Sequence, residues 1–504
     1  MTDPCQDGVI AFLSDPATHG VAGPVEVIET HISVVFLAGA RAYKLKRAVK
    51  LPYTDGSTPR LRLATCEKEL ALNRPGAPDL YLGVRRITRC AGGLVFDGDG
   101  PLVDAVVEMV RFDQAALFDR LAERNALGPE LLDDLAGRVA AFHAQAPVVH
   151  SGGGARNIAG VLDINRAGFA TSDVFARAEI DALDTRFRRR LARLAARLDA
   201  REAAGLVRRC HGDLHLRNIC LFGGRPTLFD CIEFNDRLAT VDVLYDLAFL
   251  LMDLWHRGLP GRANRVANRY FDAAATDAGF DLLPFFMALR AAVRAHVTAT
   301  AAMEAGGGAA AQAAAARRYF ALANRLLSGG AARVVALGGL SGSGKTTLAE
   351  ALAPELGRPP GARLVESDRM RKGLFGIPVD RRLPESAYRP EVSEAVYARL
   401  VSRARALAGA GVSVVLAAVY DRPERRAALV TGLAGRDLAA IWLTAPPETL
   451  RSRVQGRAPG ASDATPEVLE AQLGRAAPPA AWTRVSSEGG LDETLARLRA
   501  ALEA

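Results

Sequence analysis

The segment Gly339-Leu-Ser-Gly-Ser-Gly-Lys-Thr346 matches the pattern G-x-x-x-x-G-K-[ST] without a gap. An apolar run over 334–337 precedes it and a predicted helix over 347–356 follows it, which is the context that the pattern requires. In such a loop the backbone N–H groups surround phosphates, Lys345 neutralises their charge and the Thr346 hydroxyl binds Mg²⁺. The predicted contacts to the nucleotide come from Gly339, Ser341, Gly342, Ser343, Gly344, Lys345, Thr346 and Thr347.

The residues around this loop alternate between short apolar strands and helices. Strands are predicted at 333–337, 363–366, 412–418 and 438–443, with helices between them. A strand–helix–strand series of this kind implies a parallel sheet. We therefore predict an α/β P-loop domain over 331–504, separated from the preceding residues by the glycine-containing stretch near 328–332.

A charged segment follows the second predicted strand of this domain. Asp368 lies at the carboxyl end of that strand, where α/β sheets place their ligands, and could bind Mg²⁺ or take a proton from an acceptor hydroxyl. The alternative is that Ser367 or Asp368 only caps a helix that begins nearby. Arg371 and Lys372 are candidates to hold a second anion.

A second pair of cations, Arg453 and Arg457, is spaced i, i+4 on one helix face. Such a pair can clamp phosphates during transfer, and the alternative is an ordinary solvated face. Together with the P-loop, these motifs resemble the small-molecule P-loop kinases that include gluconate-kinase-like and zeta-toxin-like proteins. The chain departs from that group at the end of the third strand, where Ala417-Ala418 stands and such kinases often carry an Asp that supports Mg²⁺.

A second motif, His211-Gly-Asp-Leu-His-Leu-Arg-Asn218, has the form H-G-D-x-x-x-x-N, and Asp230 follows twelve residues after Asn218. Residues of these types at this spacing suit phosphoryl transfer. Asp213 would accept the proton of the acceptor hydroxyl, and Asn218 and Asp230 would hold Mg²⁺ against the phosphates. His211 would brace the loop through hydrogen bonds.

This motif resembles the aminoglycoside phosphotransferase family, a branch of the protein-kinase-like fold, over about 20–325. The resemblance implies an α+β bilobal domain over 1–328, with an N-lobe at about 20–112 and a C-lobe at about 113–328. It also implies that Asp242 and Asp246 brace the catalytic loop.

The same resemblance requires a strand lysine and a helix glutamate in the N-lobe. Lys44, in the alternating strand 42–46, is the first choice for the phosphate contact, and Lys46 on the same face is its competitor. In the next helix Glu69 is the first choice to pair with the lysine, and Glu67 is the second.

The composition excludes several classes of protein. Only six of the 64 basic residues are lysines, so a lysine that remains is a candidate for a specific chemical role. Arginines are interspersed with acids, and the net charge of +8 does not indicate a nucleic-acid partner. The six cysteines form no C-x-x-C pair and no signal peptide or membrane span is expected, which favours a reduced, cytoplasmic protein.

The two motifs together predict a bifunctional ATP-dependent phosphotransferase that requires Mg²⁺. The expected acceptors are hydroxyls of small polar molecules, while their identity and the oligomeric state stay open. The alternative is one active kinase domain regulated by a nucleotide-sensing P-loop domain, and Ala417 motivates it. A nucleic-acid-dependent ATPase is the third possibility, but no series of helicase-like motifs accompanies the P-loop.

Overall fold

The computed structural model describes residues 4–51, 54–150, 152–304, 308–456, 462–474 and 479–503, and it forms two compact units, Met1–Asp253 and Leu254–Ala504. Its strands are β1 (Glu26–Glu29), β2 (Ser33–Ala38), β3 (Arg41–Lys46), β4 (Lys50–Leu51), β5 (Thr54–Asp55), β6 (Tyr81–Cys90), β7 (Gly93–Phe96), β8 (Leu102–Val110), β9 (Val207–Arg209), β10 (Ile219–Phe222), β11 (Arg225–Leu228), β12 (Thr240–Asp242), β13 (Val334–Gly338), β14 (Arg363–Glu366), β15 (Val414–Ala417), β16 (Leu438–Thr444) and β17 (Thr483–Ser486).

The helices of the first unit are α1 (Pro4–Ser14), α2 (Pro16–His19), α3 (Pro59–Asn73), α4 (Phe118–Glu123), α5 (Pro129–Gln145), α6 (Gly154–Phe169), α7 (Arg177–Ala203), α8 (Asp236–Ala239) and most of α9 (Val243–His256). Those of the second unit are α10 (Pro260–Ala273), α11 (Leu283–Glu304), α12 (Ala309–Leu326), α13 (Lys345–Leu352), α14 (Ser367–Leu374), α15 (Pro390–Gly409), α16 (Pro423–Gly432), α17 (Pro447–Gln455), α18 (Pro466–Leu473) and α19 (Leu491–Glu503).

The first unit begins with an antiparallel sheet of order β1-β2-β3-β8-β6-β7. Strands β2 and β3 form an antiparallel hairpin in which Val35 lies opposite Lys44. Side chains alternate across β3: Tyr43 and Leu45 pack on the side of α1, whereas Ala42 joins the core that contains Cys66 of α3. Lys44 and Lys46 share the face of Ala42 and are therefore directed toward α3.

The remainder of the first unit is mainly helical and holds the H-G-D loop between short strands. Strand β9 pairs with β12 before the loop, and the hairpin β10–β11 follows it. The helices α6 and α7 pack against each other. A sheet-based lobe followed by a helical part with the loop at 211–218 is the predicted kinase-like architecture, which is confirmed.

The second unit contains a five-stranded parallel sheet of order β14-β15-β13-β16-β17. Strand β13, which leads into the P-loop, lies at its centre and is fully buried. The four predicted strands and the α/β P-loop fold are confirmed. The edge strand β17 was not predicted, because its four residues are mostly polar and only Val485 is buried.

Helices α10–α12 belong to the compact unit that contains the P-loop sheet. Arg363 at the start of β14 is fully buried, and it donates to Asp272 of α10 at 2.6 Å and to Asp277 at 2.9 Å. Asn268 of α10 also accepts a hydrogen bond from Arg363, at 2.9 Å. These ionic contacts connect α10 to the P-loop sheet, which explains why the compact unit begins well before residue 328. The domain boundary near residues 328–332 stays a prediction.

One apolar stretch, Phe280–Met303, is long and apolar enough by composition to cross a membrane. Most of this stretch is buried inside the protein. Burial of this extent is typical of a core helix in a folded domain.

Candidate active sites

Lys44, Glu69 and Asp230 meet in the first unit. The Lys44 ammonium lies 2.8 Å from the Glu69 carboxylate and also pairs with Asp230, which follows β11. Glu69 is fully buried in α3, whereas Glu67 is exposed on the other side of the helix. The structure therefore places Glu69, rather than Glu67, beside the lysine.

The competing lysine belongs to the same cluster. Lys46 is buried and pairs with Glu69 and with Glu233. Glu69 thus bridges the two lysines, while Lys44 contacts Asp230 and Lys46 contacts Glu233. The sequence analysis did not identify Glu233; the available signal was its position three residues after Asp230.

Charge compensation governs the protonation of this cluster. Burial alone would lower the pKa of Lys44, but Asp230, Glu69 and Glu233 outweigh it and hold that pKa well above its ordinary value. Burial would raise the pKa of Asp230, and Lys44 overrides this effect and lowers it. For Glu233 burial prevails over Lys46, and the pKa is raised. Lys44 and Asp230 are therefore a charged pair.

Asp213 is held by two neighbours in the H-G-D loop. The Asn218 side-chain amide donates to the Asp213 carboxylate at 2.9 Å and to its backbone oxygen at 3.0 Å. The His215 ring lies 3.3 Å from the same carboxylate. Asp213 stays partly exposed, with 38% of its side chain accessible, so a substrate hydroxyl can reach it.

Hydrogen bonds hold the backbone of the H-G-D loop in place. Asp246 of α9 accepts from the amide of His211 at 3.2 Å and from that of Gly212 at 2.9 Å. The His211 ring contacts the Phe229 carbonyl at 2.8 Å, and burial lowers the pKa of this histidine, which favours the neutral ring. Asp253, further along α9, accepts from the Leu216 amide at 3.1 Å. Helix α9 thus positions the loop at both ends.

The oxygen atoms of Asn218 and Asp230 fit a Mg²⁺ ion. Both hydrogen bonds of the Asn218 side chain come from its nitrogen, which leaves its amide oxygen to face elsewhere. Asp230 supplies a carboxylate from a backbone with φ of 64°, a conformation that costs a non-glycine residue about 1 kcal/mol or more. Carboxylate and amide oxygens are the ligands that Mg²⁺ uses in proteins.

The P-loop of the second unit has the backbone that its glycines permit. Gly344 precedes α13 with φ of 81°, and a Cβ on Gly342 would lie 2.6 Å from the Leu450 carbonyl oxygen. Lys345 donates to the carbonyls of Gly339 and Leu340 at 2.9 and 2.8 Å. Its ammonium thus lies over the loop itself.

The other predicted P-loop residues line the same turn. Thr346 is half-buried in the first turn of α13, and Thr347 is exposed beside it. Ser343 is buried, and its hydroxyl lies 3.5 Å from the Lys345 ammonium. The amide of Ser341 donates at 2.8 Å to the side chain of Gln472, a residue of α18 that the sequence reasoning missed and that no local pattern indicates.

Asp368 occupies the first turn of α14 at the carboxyl end of β14. The residue that caps this helix is Glu366, without a side-chain hydrogen bond, so capping by Ser367 or Asp368 is not what the structure contains. Within the described ranges the Asp368 carboxylate forms no hydrogen bond or ion pair, and it is half-buried. Such a carboxylate is available to a substrate.

The remaining predicted residues are more dispersed. Arg453 donates to the backbone oxygen of Ser487, after β17, at 2.8 Å, and Arg457 lies outside the described residues.

Ala417 pairs in register with Glu366, but the Glu366 carboxylate lies 2.8 Å from Arg369. Glu366, at the end of the neighbouring strand β14, is therefore engaged by an arginine, and β15 itself ends in Ala417 where an Asp was expected.

Two family models match separate parts of the chain. A family model for the phosphotransferase enzyme family matches residues 95–283, and one for an AAA domain matches residues 334–479. An uncharacterized protein of Mycobacterium tuberculosis is 30% identical over 489 residues, which cover 90% of each chain.

Two solved structures each resemble one part. A gluconokinase from Sinorhizobium meliloti is 24% identical, with a TM-score of 0.25, over 34% of this chain and 91% of its own. A choline/ethanolamine kinase family protein from Mesorhizobium loti is 16% identical, with a TM-score of 0.38, over 63% of this chain and 99% of its own.

Proposed function

Because this chain belongs to the same family as the mycobacterial protein, with a phosphotransferase-family domain followed by a P-loop kinase domain, we propose that it is a bifunctional, ATP-dependent kinase. Each site would transfer the γ-phosphate to a hydroxyl of a small polar molecule in the cytoplasm. The observation that carries this proposal is the meeting of Lys44, Glu69 and Asp230 in the same unit as the Asp213–Asn218 pair.

At the first site, Asp213 takes the proton of the acceptor hydroxyl while the hydroxyl oxygen attacks the γ-phosphorus. The bond from that phosphorus to the β–γ bridging oxygen breaks, and ADP leaves. Lys44, fixed by Glu69, neutralises charge on the phosphates. Asn218 and Asp230 would hold Mg²⁺, which supplies further charge neutralisation when bound.

The second site would perform the same transfer with different groups. Phosphates compete with the carbonyls of Gly339 and Leu340 for the Lys345 ammonium, and backbone amides of the loop surround them. Asp368 would accept the proton of the acceptor hydroxyl. Thr346, whose hydroxyl is available at the start of α13, would hold Mg²⁺.

A screen of a metabolite library for ATP-dependent phosphorylation tests this proposal. The wild type, Asp213→Ala and Lys345→Ala are assayed in parallel, so that a product lost in only one variant belongs to that site. We expect two products with opposite dependence on the two variants. A product that survives both substitutions, or no product at all from wild type, would contradict the proposal.

A second candidate function is nucleotide sensing by the P-loop domain without phosphate transfer. The residue Ala417 at the end of β15, where an Asp was expected, favours it, and the Glu366 carboxylate on the neighbouring strand is engaged by Arg369. The two functions differ in a single-turnover experiment with labelled ATP on full-length Asp213→Ala. Lys345-dependent transfer to any acceptor excludes a sensor, whereas nucleotide binding without transfer supports one.

A further inference from the structure

The segment of residues 229–232, the aspartate turn, carries Asp230 on an unusual backbone. Asp230 has a φ of 64°, in the left-handed region that few non-glycine residues adopt. A residue keeps such a conformation only where the surrounding structure holds it there, so the groups that bind this backbone are informative. The direction of the Asp230 carboxylate depends on them, because a change in φ would turn its side chain relative to the H-G-D loop.

Two backbone amides of the aspartate turn are bound by the H-G-D loop. The Phe229 amide donates to the Asn218 carbonyl at 3.1 Å, and the Ile232 amide donates to the His211 carbonyl at 2.9 Å. These hydrogen bonds fix the two ends of the turn. The two amides at its centre have partners from elsewhere in the first unit.

The partners of the central amides are two buried side chains that lie far from the turn in sequence. The Asp230 amide donates to the hydroxyl oxygen of Tyr81, the first residue of β6, at 3.1 Å. The Cys231 amide donates to the side-chain oxygen of Asn73, the last residue of α3, at 2.9 Å. Tyr81 and Asn73 each retain 1% of their accessible surface. Removal of either acceptor would therefore leave a buried amide without a partner.

Asn73 is itself fixed by the helix that supplies the partner of the phosphate-binding lysine. Its side-chain nitrogen donates to the Glu69 carbonyl, one turn earlier in α3, at 2.8 Å. This second bond directs the amide oxygen toward the aspartate turn, where only the oxygen can accept. The Glu69 carboxylate pairs with Lys44, which also pairs with Asp230. Helix α3 thus contacts both the lysine and the backbone beside the carboxylate.

We propose that Tyr81 and Asn73 are positioning residues of the first site, which hold the aspartate turn so that the Asp230 carboxylate faces the metal. This inference rests on the proposed function, because it takes Asp230 as a ligand of Mg²⁺. The two side chains act through the backbone rather than as ligands. Groups that orient a metal ligand in this way commonly change the affinity for the metal when they are removed.

The test measures what Mg²⁺ adds to nucleotide binding, so it needs no acceptor and no phosphate transfer. Full-length Lys345→Ala, in which the P-loop site is weakened, is titrated calorimetrically with ADP, once with Mg²⁺ and once with EDTA. The ratio of the two dissociation constants is the contribution of the metal, and Asp230→Ala in the same background shows the ratio without the ligand. We expect Tyr81→Phe and Asn73→Ala each to reduce the ratio by roughly 3- to 10-fold and to leave ADP binding in EDTA unchanged.

Tyr43→Phe is the matched control, because it also removes the hydroxyl of a buried tyrosine from this sheet. Tyr43 packs on the side of α1, and its hydroxyl lies 3.5 Å from Glu108. We expect this control to leave the ratio unchanged. Amide hydrogen exchange of the metal-free chain gives a second readout, in which Tyr81→Phe accelerates exchange within residues 229–232 and Tyr43→Phe does not.

A ratio that Tyr81→Phe and Asn73→Ala both leave at its starting value would overturn the inference, since the two side chains would then only stabilise the fold. If Asn73→Ala fails to fold, Tyr81→Phe decides, because it removes one hydroxyl and keeps the ring. Failure of the proposed function has a different result: the starting ratio is close to one and Asp230→Ala does not change it, so that Asp230 is not a metal ligand.

Discussion

At the scale of single residues, the charged side chains around Glu69 must compensate one another's charge. Two lysines and three carboxylates form one cluster, in which Glu69, Lys46 and Glu233 are buried and Asp230 is partly exposed, and each lysine has two acidic partners. Lys46 and Glu233 connect strand β3 to the segment that carries Asp230. The pair therefore positions the metal-binding loop relative to the phosphate-binding lysine.

We predict that Glu233→Gln lowers the free energy of unfolding of the first unit by about 3–5 kcal/mol, because it leaves Lys46 buried with a shared partner. Lys46→Met combined with Glu233→Leu should recover much of that loss, since both charges are then removed. Urea denaturation of wild type, Lys46→Met, Glu233→Leu and the variant with both of these substitutions gives the double-mutant cycle. Equal losses in the single and double variants would contradict this account.

Asp213→Asn should lower kcat for the first-site product by about 10²–10⁴-fold with little change in thermal stability. The asparagine can still accept the hydrogen bond from Asn218, but it cannot take a proton. Steady-state kinetics of the product that the library screen assigns to this site provide the measurement. The product of the Lys345-dependent site serves as the internal control and should be unaffected.

At the scale of elements, helix α11 carries a histidine whose burial sets a pH dependence. His296 retains 8% of its accessible surface, and burial lowers its pKa from 6.5 to about 4. The unfolded chain binds a proton below pH 6.5, whereas the folded chain resists it down to about pH 4. The contribution of this residue is therefore full above pH 6.5 and decreases as the pH falls.

We predict that the free energy of unfolding of the second unit decreases by up to about 3 kcal/mol between pH 6.5 and pH 4 through His296 alone. His296→Gln removes the titrating group and should flatten this part of the curve. Denaturant unfolding of both chains at several pH values in this window measures the difference. Parallel curves for the two chains would show that His296 does not titrate in this way.

The same scale shows what sequence can and cannot predict. The P-loop and the H-G-D loop were readable because phosphate contacts come from consecutive backbone groups and fixed spacings. Glu233 and Gln472 reach their partners only through tertiary packing, and their local sequence has no periodicity that marks them. Strand β17 was missed for a similar reason, because it is short, polar and stabilised mainly by pairing with β16.

At the scale of the whole molecule, the extent of the second unit differs from what the change in sequence pattern suggests. Helix α10 contributes Asp272 and Asn268 to the buried Arg363, and Arg269 of the same helix contacts Glu350 of the P-loop helix at 2.5 Å. The transition from helical to alternating pattern near residue 330 marks where the sheet begins. It carries no information about which earlier helix completes the fold.

A fragment of residues 331–504 should therefore be unstable, whereas a fragment of residues 257–504 should fold. The shorter fragment leaves Arg363 without Asp272 and Asp277, and loss of a buried ionic partner costs about 3–5 kcal/mol. Circular dichroism and thermal unfolding of both purified fragments make the comparison. Cooperative unfolding of the shorter fragment at the same temperature as the longer one would refute this prediction.

The distribution of the six lysines has a practical consequence. Lys44, Lys46, Lys345 and Lys372 all lie in the two proposed sites, and only Lys50 and Lys68 form ordinary surface ion pairs. Protein grown with isotope-labelled lysine would give a spectrum with few signals, among them those of Lys44 and Lys345, the two proposed phosphate-binding lysines. Resonances from both halves of the chain could then be followed in one sample as each ligand is added, without attaching a reporter to the protein.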